Sequence, residues 1–277
     1  LEGKRLGIEY EATGLTAARG KQVDAALGDF AAAVDASDLV SGLRLVKSEA
    51  ELAYVRRAAE LGDDSLNAAI EATSAGADEG DILAAMQGAV FKGGGDYPGN
   101  PFIIGSGPDA LLCRYKSGRR KLDARDQLTL EFAGVYRQYH ACLMRTFVIG
   151  EPSARERKMF EAAEAALLAC EDKLRPGTTM GEVFDTHAEV MDAHDMQPHR
   201  LNACGYSLGT VYAPCWMDYP MFYTGNPVVI EPGMVFFLHM ILMDSEADQA
   251  MTLGRTSIIG NQGAEVLSKA PLDLVVR

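Results

Sequence analysis

Residues 130–147, LEFAGVYRQYHACLMRTF, gather a glutamate, a histidine and a cysteine in a chain with only five histidines and five cysteines. The apolar runs flanking VYRQ (135–138) read as a β-hairpin with its turn there. Side chains alternate across a strand, so His140 and Cys142 share a face while Glu131 sits on the opposing strand. Three chemistries are compatible with such a set: a metal site, a metal-free catalytic site, or a site whose chemistry is lost. A carboxylate inside QLTLEFAGVY must be paired, protonated or open to a cleft, because burying it unpaired costs several kcal/mol. Cys142 taken alone reads as a small buried hydrophobe. His239 lies in VFFLHMILM on the face shared by Val235, Phe237, Ile241 and Met243. A lone histidine in an apolar row is more often a hydrogen-bonded core residue than a catalyst. GYSLG (205–209) and YAPCW (212–216) read equally as pocket lining or as loop packing, and His187, His194 and His199 as solvated or capping groups on or just past a helix.

The elements that must position these groups come in two similar series. RLGIEYE (5–11) reads as a strand, TAARGKQVDAAL (16–27) as a helix and LVSGLRLV (39–46) as a strand. Ser48 and Glu51 form a capping box that opens a long helix ending before Gly76, and a second helix covers about 80–91. GGGDYPGNP (93–101) is loop, followed by strands at about 102–104, 112–115, 127–135 and 139–149. Ser153 and Glu156 open the second series with another box, a helix follows at about 181–194, and strands run through 233–243 and 251–260. GADEGDI (76–82) and GTTMGEV (177–183) share G-x-x-x-G-[DE]-[IV] at an offset of 101 residues. Two α+β halves related by a pseudo-twofold, with a cleft at their join, are the expected result.

Composition narrows the partners. With 48% apolar and 23% charged residues, the 277-residue chain can bury a large core. A net charge of -13 repels nucleic-acid phosphates and anionic lipid, leaving a small molecule as the expected partner, with neither nucleic acid nor membrane. No apolar run reaches membrane-spanning length and the first residues carry no signal-peptide pattern, so the expected location is the cytoplasm. The cysteines are odd in number and lack CxxC spacing, which argues against a disulfide framework or a zinc ribbon.

GSGPDALLCRYKSG, LEFAGVYRQYHACLMRTF, RPGTTMGEV, GYSLG, EPGMVFF and GAEVLS, in this order and spacing, resemble the pita-bread family that includes prolidase, aminopeptidase P, methionine aminopeptidase and creatinase. The resemblance covers about residues 43–277 and implies an α+β pita-bread catalytic domain of two pseudo-symmetric halves. Residues 1–42 resemble the C-terminal remnant of that family's N-terminal domain. The family's peptidases hold two metal ions with two Asp, one His and two Glu. Here those positions fall on Glu131, Cys142, Tyr206, His239 and close to Gly254, so the resemblance implies no dinuclear metal centre and no other cofactor. Creatinase shows that the fold supports metal-free C–N hydrolysis, yet its two catalytic glutamates fall on Met144 and His239 and the substrate-side histidine on Arg114. Within the family the chain resembles the ectoine hydrolase branch, in Glu131, the YH of the hairpin, the RT that follows and the GYS…Y.P.W pattern, and departs from it at Thr252.

The resemblance thus implies a metal-independent hydrolase of a C–N bond in a small amidine, guanidine or amide. In that reading Glu131 is the base and the partner of a cationic substrate, and His239 or His140 moves the proton. Arg114 and Arg145 clamp a substrate carboxylate, with Tyr115 and Tyr206 orienting it; Arg145 serves packing in the other reading of the RTF segment. Two alternatives stand beside it: a metallopeptidase rebuilt on Glu131, His140, Cys142 and His239, and a non-catalytic binding protein. Metal-free members of the family resemble dimers in which one subunit's N-terminal domain closes the other's cleft, so the full-length protein is expected to be a homodimer.

Overall fold

Three boxes of the form S/T-x-x-E fix where the long helices begin. In the computed structural model, which describes residues 2–112 and 119–277, the Glu51 carboxylate accepts from the backbone N–H of Ser48, that of Glu156 from Ser153, and that of Glu182 from Thr179. Each pairing satisfies amide protons that the first helical turn leaves without an intrahelical acceptor. They open α3 (Glu49–Ala72), α5 (Ala154–Lys173) and α6 (Met180–Ala193), while Asp78 caps α4 (Glu79–Lys92) through Gly80. Asp78 and Thr179 occupy equivalent places in the GADEGDI and GTTMGEV repeats. Gly76 and Gly177, two residues upstream of each cap, both have positive φ (83° and 91°), a conformation glycine adopts without a Cβ clash. The repeat is therefore a helix-entry device used twice.

The chain divides into two compact units, Leu1–Leu45 and Val46–Arg277. In the first, β1 (Arg5–Ile8) pairs in parallel with β2 (Ala32–Asp35), and α1 (Ala17–Leu27) makes the crossover. α2 (Asp38–Leu45) then spans the break expected at residue 42. LVSGLRLV thus forms a helix where a strand was expected. Leu39, Val40 and Leu43 fall on one helical face, with Asp38 in the first turn and Arg44 in the last, both favourable to the helix dipole.

The second unit carries the large sheet. Its strands β3 (Ile103–Ser106), β4 (Asp126–Tyr136), β5 (Tyr139–Ile149), β6 (Gly205–Ser207), β7 (Asp218–Met221), β8 (Val235–Asp244) and β9 (Gln249–Gly260) lie in the order β3-β4-β5-β9-β8-β6-β7. Two short strands, β10 (Gly263–Val266) and β11 (Val275–Val276), pair with β9 and β5. The series α3-α4-β3-β4-β5 is answered by α5-α6-β6-β8-β9, and the join is the antiparallel contact of β5 with β9. The expected pseudo-symmetric halves are present. The strand expected at 112–115 reaches into residues 113–118, which lie outside the described set, as do Arg114 and Tyr115.

Register divides the sheet's side chains into two faces. Leu130, Phe132, Gly134, Leu143 and Arg145 point toward the helices; Glu131, Ala133, Cys142 and Met144 point away. At Gly134 the sheet meets the α3 backbone so closely that a Cβ would lie 1.9 Å from the carbonyl oxygen of Ala58 and 2.3 Å from the amide nitrogen of Gly62. No rotamer change relieves a clash between two backbones. Gly134→Ala is therefore expected to destabilise the protein by about 3 kcal/mol or more, read as a lowered denaturation midpoint with an unchanged m-value. A midpoint matching wild type would show that α3 does not press on the sheet here.

Candidate active site

On the face turned away from α3 and α5, one row runs directly across the sheet through Ile103, Glu131, Met144, Gly254 and His239. The adjacent row runs through Ala133, Cys142, Thr256, Phe237 and Tyr206. Both rows are drawn from both halves of the repeat. The Tyr206 hydroxyl on β6 donates to Glu131 Oε1 on β4 at 3.1 Å, although four strand steps separate them. On a flat sheet four steps span about 19 Å, more than a tyrosine and a glutamate can bridge. The sheet is therefore curled, and this face is concave.

Glu131 is 7% exposed. Its tyrosine partner is itself held, because Trp216 Nε1 donates to the Tyr206 hydroxyl at 2.8 Å. Burial, and after it the neighbouring Glu131 charge, pushes the Tyr206 phenol well above its usual range, so it stays a donor. The Tyr206 ring packs within 5.6 Å of the His239 ring and edge-on to Phe237 at 5.4 Å. His239, buried at 6% exposure, donates its backbone N–H to the Cys204 carbonyl at 2.9 Å. Glu131, Tyr206 and His239, all expected site residues, are thus brought together.

Two other expected residues stand elsewhere or are otherwise engaged, and Cys142 is the buried group that its sequence context implies. Arg145 lies on the opposite, helix-packed face, because it follows Met144 in the strand and alternation reverses its direction. Its Nη1 donates to the carbonyls of Met144 and Gly254, each at 2.8 Å, and burial, then Arg255, draws its pKa down to about 10. It ties β5 to β9 at the join and cannot clamp a substrate lying against Glu131. His140 shares the concave face but both its ring nitrogens are engaged: Nδ1 with the Gln138 carbonyl and Nε2 with the Gly99 amide, each at 2.9 Å. Since Gly99 N–H must donate, Nε2 is the acceptor and Nδ1 carries the proton. A ring so committed is a strut, not a proton shuttle. Cys142 is pinned through its backbone, whose N–H and C=O both bond the Thr256 hydroxyl, and burial, followed by the Glu131 charge, raises its thiol well above the usual range.

These environments decide whether the site fits the dinuclear metal centre of the peptidases that the sequence resembles. Of the five positions concerned, Glu131 supplies one carboxylate and His239 one imidazole. Cys142 and Tyr206 offer a thiol and a phenol, both pushed above their usual ranges by burial, where such ions take carboxylate and imidazole. At Gly254 even a Cβ would lie 2.6 Å from the Leu238 carbonyl oxygen and 2.9 Å from the Phe237 ring, so no side chain fits. Among the described residues no group of three His, Cys, Asp or Glu converges as a ligand set. Two hard divalent ions need bridging carboxylates, and the residues present do not fit that requirement.

Comparison with known proteins places the whole arrangement. The fold is the pita-bread fold: the solved Xaa-Pro dipeptidase from Bacillus anthracis superposes with a TM-score of 0.90 at 21% identity, over 99% of this chain and 75% of that one. The model of metallopeptidase family M24 matches residues 53–264, and the chain belongs to that family of hydrolases. An uncharacterized hydrolase/peptidase of Sinorhizobium fredii, y4tM, is 30% identical over 99% of this chain and 70% of its own length. Ectoine hydrolase of Halomonas elongata is 27% identical over 88% of this chain and 63% of its own length. The chain thus spans about two thirds of the length of these curated relatives.

Trp216 enters the sequence reading only through YAPCW and the Y.P.W pattern, with no role attached, and Gly99 only as part of the GGGDYPGNP loop. A pH dependence follows from the buried imidazoles. His140 and His187 are both drawn down to about 4, chiefly by burial, and His187 Nδ1 has no hydrogen-bond partner among the described residues. Their folded pKa lies below the unfolded 6.5, so below that pH the unfolded state binds more protons. The stability of the neutral forms is full above pH 6.5 and is lost as pH falls toward 4, by about 3 kcal/mol per histidine. His187→Leu should flatten the decline of unfolding free energy over that window relative to wild type. Parallel curves for the two proteins would contradict the assignment.

Proposed function

We propose that this chain carries a metal-independent hydrolase site acting on a C–N bond of a small amidine, guanidine or amide. The observation that carries the reading is the Glu131 carboxylate, held by a tyrosine donor on a concave face walled by Tyr206, Phe237, His239 and Trp216. A carboxylate beside aromatic rings suits a delocalised cation, which pairs with the carboxylate and lies against π-faces. The net charge of -13 adds long-range attraction for such a substrate. The likeness to ectoine hydrolase supports a cyclic amidine as the substrate class.

In this reading Glu131 accepts a proton from water as the water oxygen bonds to the amidine carbon. The C–N bond then breaks as protonated His239, in the central row of the concave face, gives its proton to the departing nitrogen and takes the remaining hydroxyl proton of the intermediate; the products are the amide and an amine that leaves as ammonium with the proton held by Glu131. His140 has no part in proton movement and Arg145 none in substrate binding. Arg114 and Tyr115 are retained as proposed carboxylate-binding groups. The reading includes a cytoplasmic, homodimeric full-length protein with neither nucleic acid nor membrane as partner; among the described residues no helix is long and apolar enough to cross a membrane.

The test is product detection with the full-length protein on ectoine, hydroxyectoine, creatine and an Xaa-Pro dipeptide. Turnover of an amidine or guanidine, lost by about a thousandfold in Glu131→Gln while far-UV circular dichroism is unchanged, is expected. Turnover of the dipeptide alone would favour a rebuilt metallopeptidase, and thermal stabilisation without product a binding protein. Either outcome contradicts the proposal, as does an active Glu131→Gln variant.

A further inference from the structure

The Glu131 carboxylate ends a chain of hydrogen bonds whose direction is set at its far end. An indole N–H can only donate. Trp216 Nε1 donates to the Tyr206 hydroxyl at 2.8 Å, so that oxygen is an acceptor on the Trp216 side and its own proton is available to Glu131 Oε1 at 3.1 Å. All three side chains are buried, with Trp216 at 1%, Tyr206 at 2% and Glu131 at 7% exposure, so the pattern is shielded from exchange with bulk solvent. In such surroundings each bond polarises the next.

The indole is in turn held by the first half of the molecule. Gly99 lies against the Cys215–Trp216 backbone so closely that a Cβ would meet the Cys215 oxygen at 3.1 Å and the Trp216 nitrogen at 3.3 Å. His140 Nε2 fixes the Gly99 amide, and His140 Nδ1 is anchored on Gln138 in the β4–β5 turn. The order is therefore hairpin turn, His140, Gly99, Trp216 backbone, indole, Tyr206, Glu131. The hairpin that carries Glu131 also fixes, through the other half's loop, the donor aimed at it.

We propose that Trp216 is a positioning residue: it orients the Tyr206 hydroxyl as a donor to Glu131 and so keeps that carboxyl in its ionised, proton-accepting form. This rests on the reading of Glu131 as the base. Removing the indole donor weakens the tyrosine's bond to the carboxylate, and a carboxylate with weaker donors holds its proton to higher pH. The ring also fills a fully buried site, so a role in packing alone is the competing explanation, and the test must separate the two.

These 277 residues hold one tryptophan, and its indole N–H resonance in a 1H–15N spectrum is the one that disappears in Trp216→Phe. In the wild-type protein that resonance is expected downfield, protected from solvent exchange, and shifting as Glu131 titrates. In Tyr206→Phe it should move upfield, and in Glu131→Gln it should lose its pH dependence. In Trp216→Phe, which keeps an aromatic ring but no donor, kcat is expected to fall about tenfold, the scale of one hydrogen bond. KM should stay within about twofold, and the acid limb of the kcat/KM profile should move upward by about half a pH unit or more. An indole resonance that exchanges freely, or is unmoved by Tyr206→Phe, overturns the proposal even if Trp216→Phe fails to fold, as does an unshifted acid limb in a folded Trp216→Phe. An active Glu131→Gln variant would instead overturn the base assignment, while the Tyr206→Phe spectrum still reports on the hydrogen-bonded chain.

Discussion

A carboxylate on the inner surface of a curled sheet, almost without access to water, imposes the central constraint on this molecule. Its ionised form survives there only if donors are supplied, since an uncompensated buried charge costs several kcal/mol. Tyr206 supplies one such donor from the opposite half of the sheet, and can do so only because the sheet curls. The curl brings β4 and β6 within reach of each other across β5, β9 and β8. On the other face, Gly134 lets α3 press against β4, and Arg145 locks β5 to β9 where the halves meet. Helix packing on one side and the carboxylate's partner on the other are therefore parts of one geometry.

The five positions that bear metal ligands in the peptidases resembled by this sequence have changed in a mutually consistent way. Tyr206 replaces an imidazole and becomes the donor to Glu131; Gly254 replaces a carboxylate and leaves the space occupied by the Phe237 ring. Cys142, buried and backbone-bonded to Thr256, fills its place without adding charge. Among the described residues these positions hold one carboxylate, Glu131, beside the rings of Tyr206, Phe237 and His239. The chemistry proposed for this site draws on a substrate that already carries a positive, delocalised C–N unit.

Much of the fold was readable along the chain because its determinants are local. The Ser48 and Ser153 boxes, the glycines at 76 and 177 and the alternation in residues 127–149 each act within a few residues. LVSGLRLV was misread as a strand because a short apolar run fits both periods, and the helical spacing of Leu39, Val40 and Leu43 decides it. The site was less legible. Alternation alone puts Arg145 on the face opposite Met144 and Cys142, yet only the α3 backbone packed at Gly134 shows that a helix covers this face. Gly99 lies 41 residues from His140 and Glu131 75 residues from Tyr206, and Trp216 gains its meaning only once the curl is known.

Elemental analysis combined with turnover addresses the account most directly. Full-length protein prepared without added metal should contain far less than one equivalent of any transition metal per chain, and should open its amidine substrate at the same rate with and without a strong chelator. One or two tightly bound ions per chain, whose removal ends turnover and whose return restores it, would contradict the account.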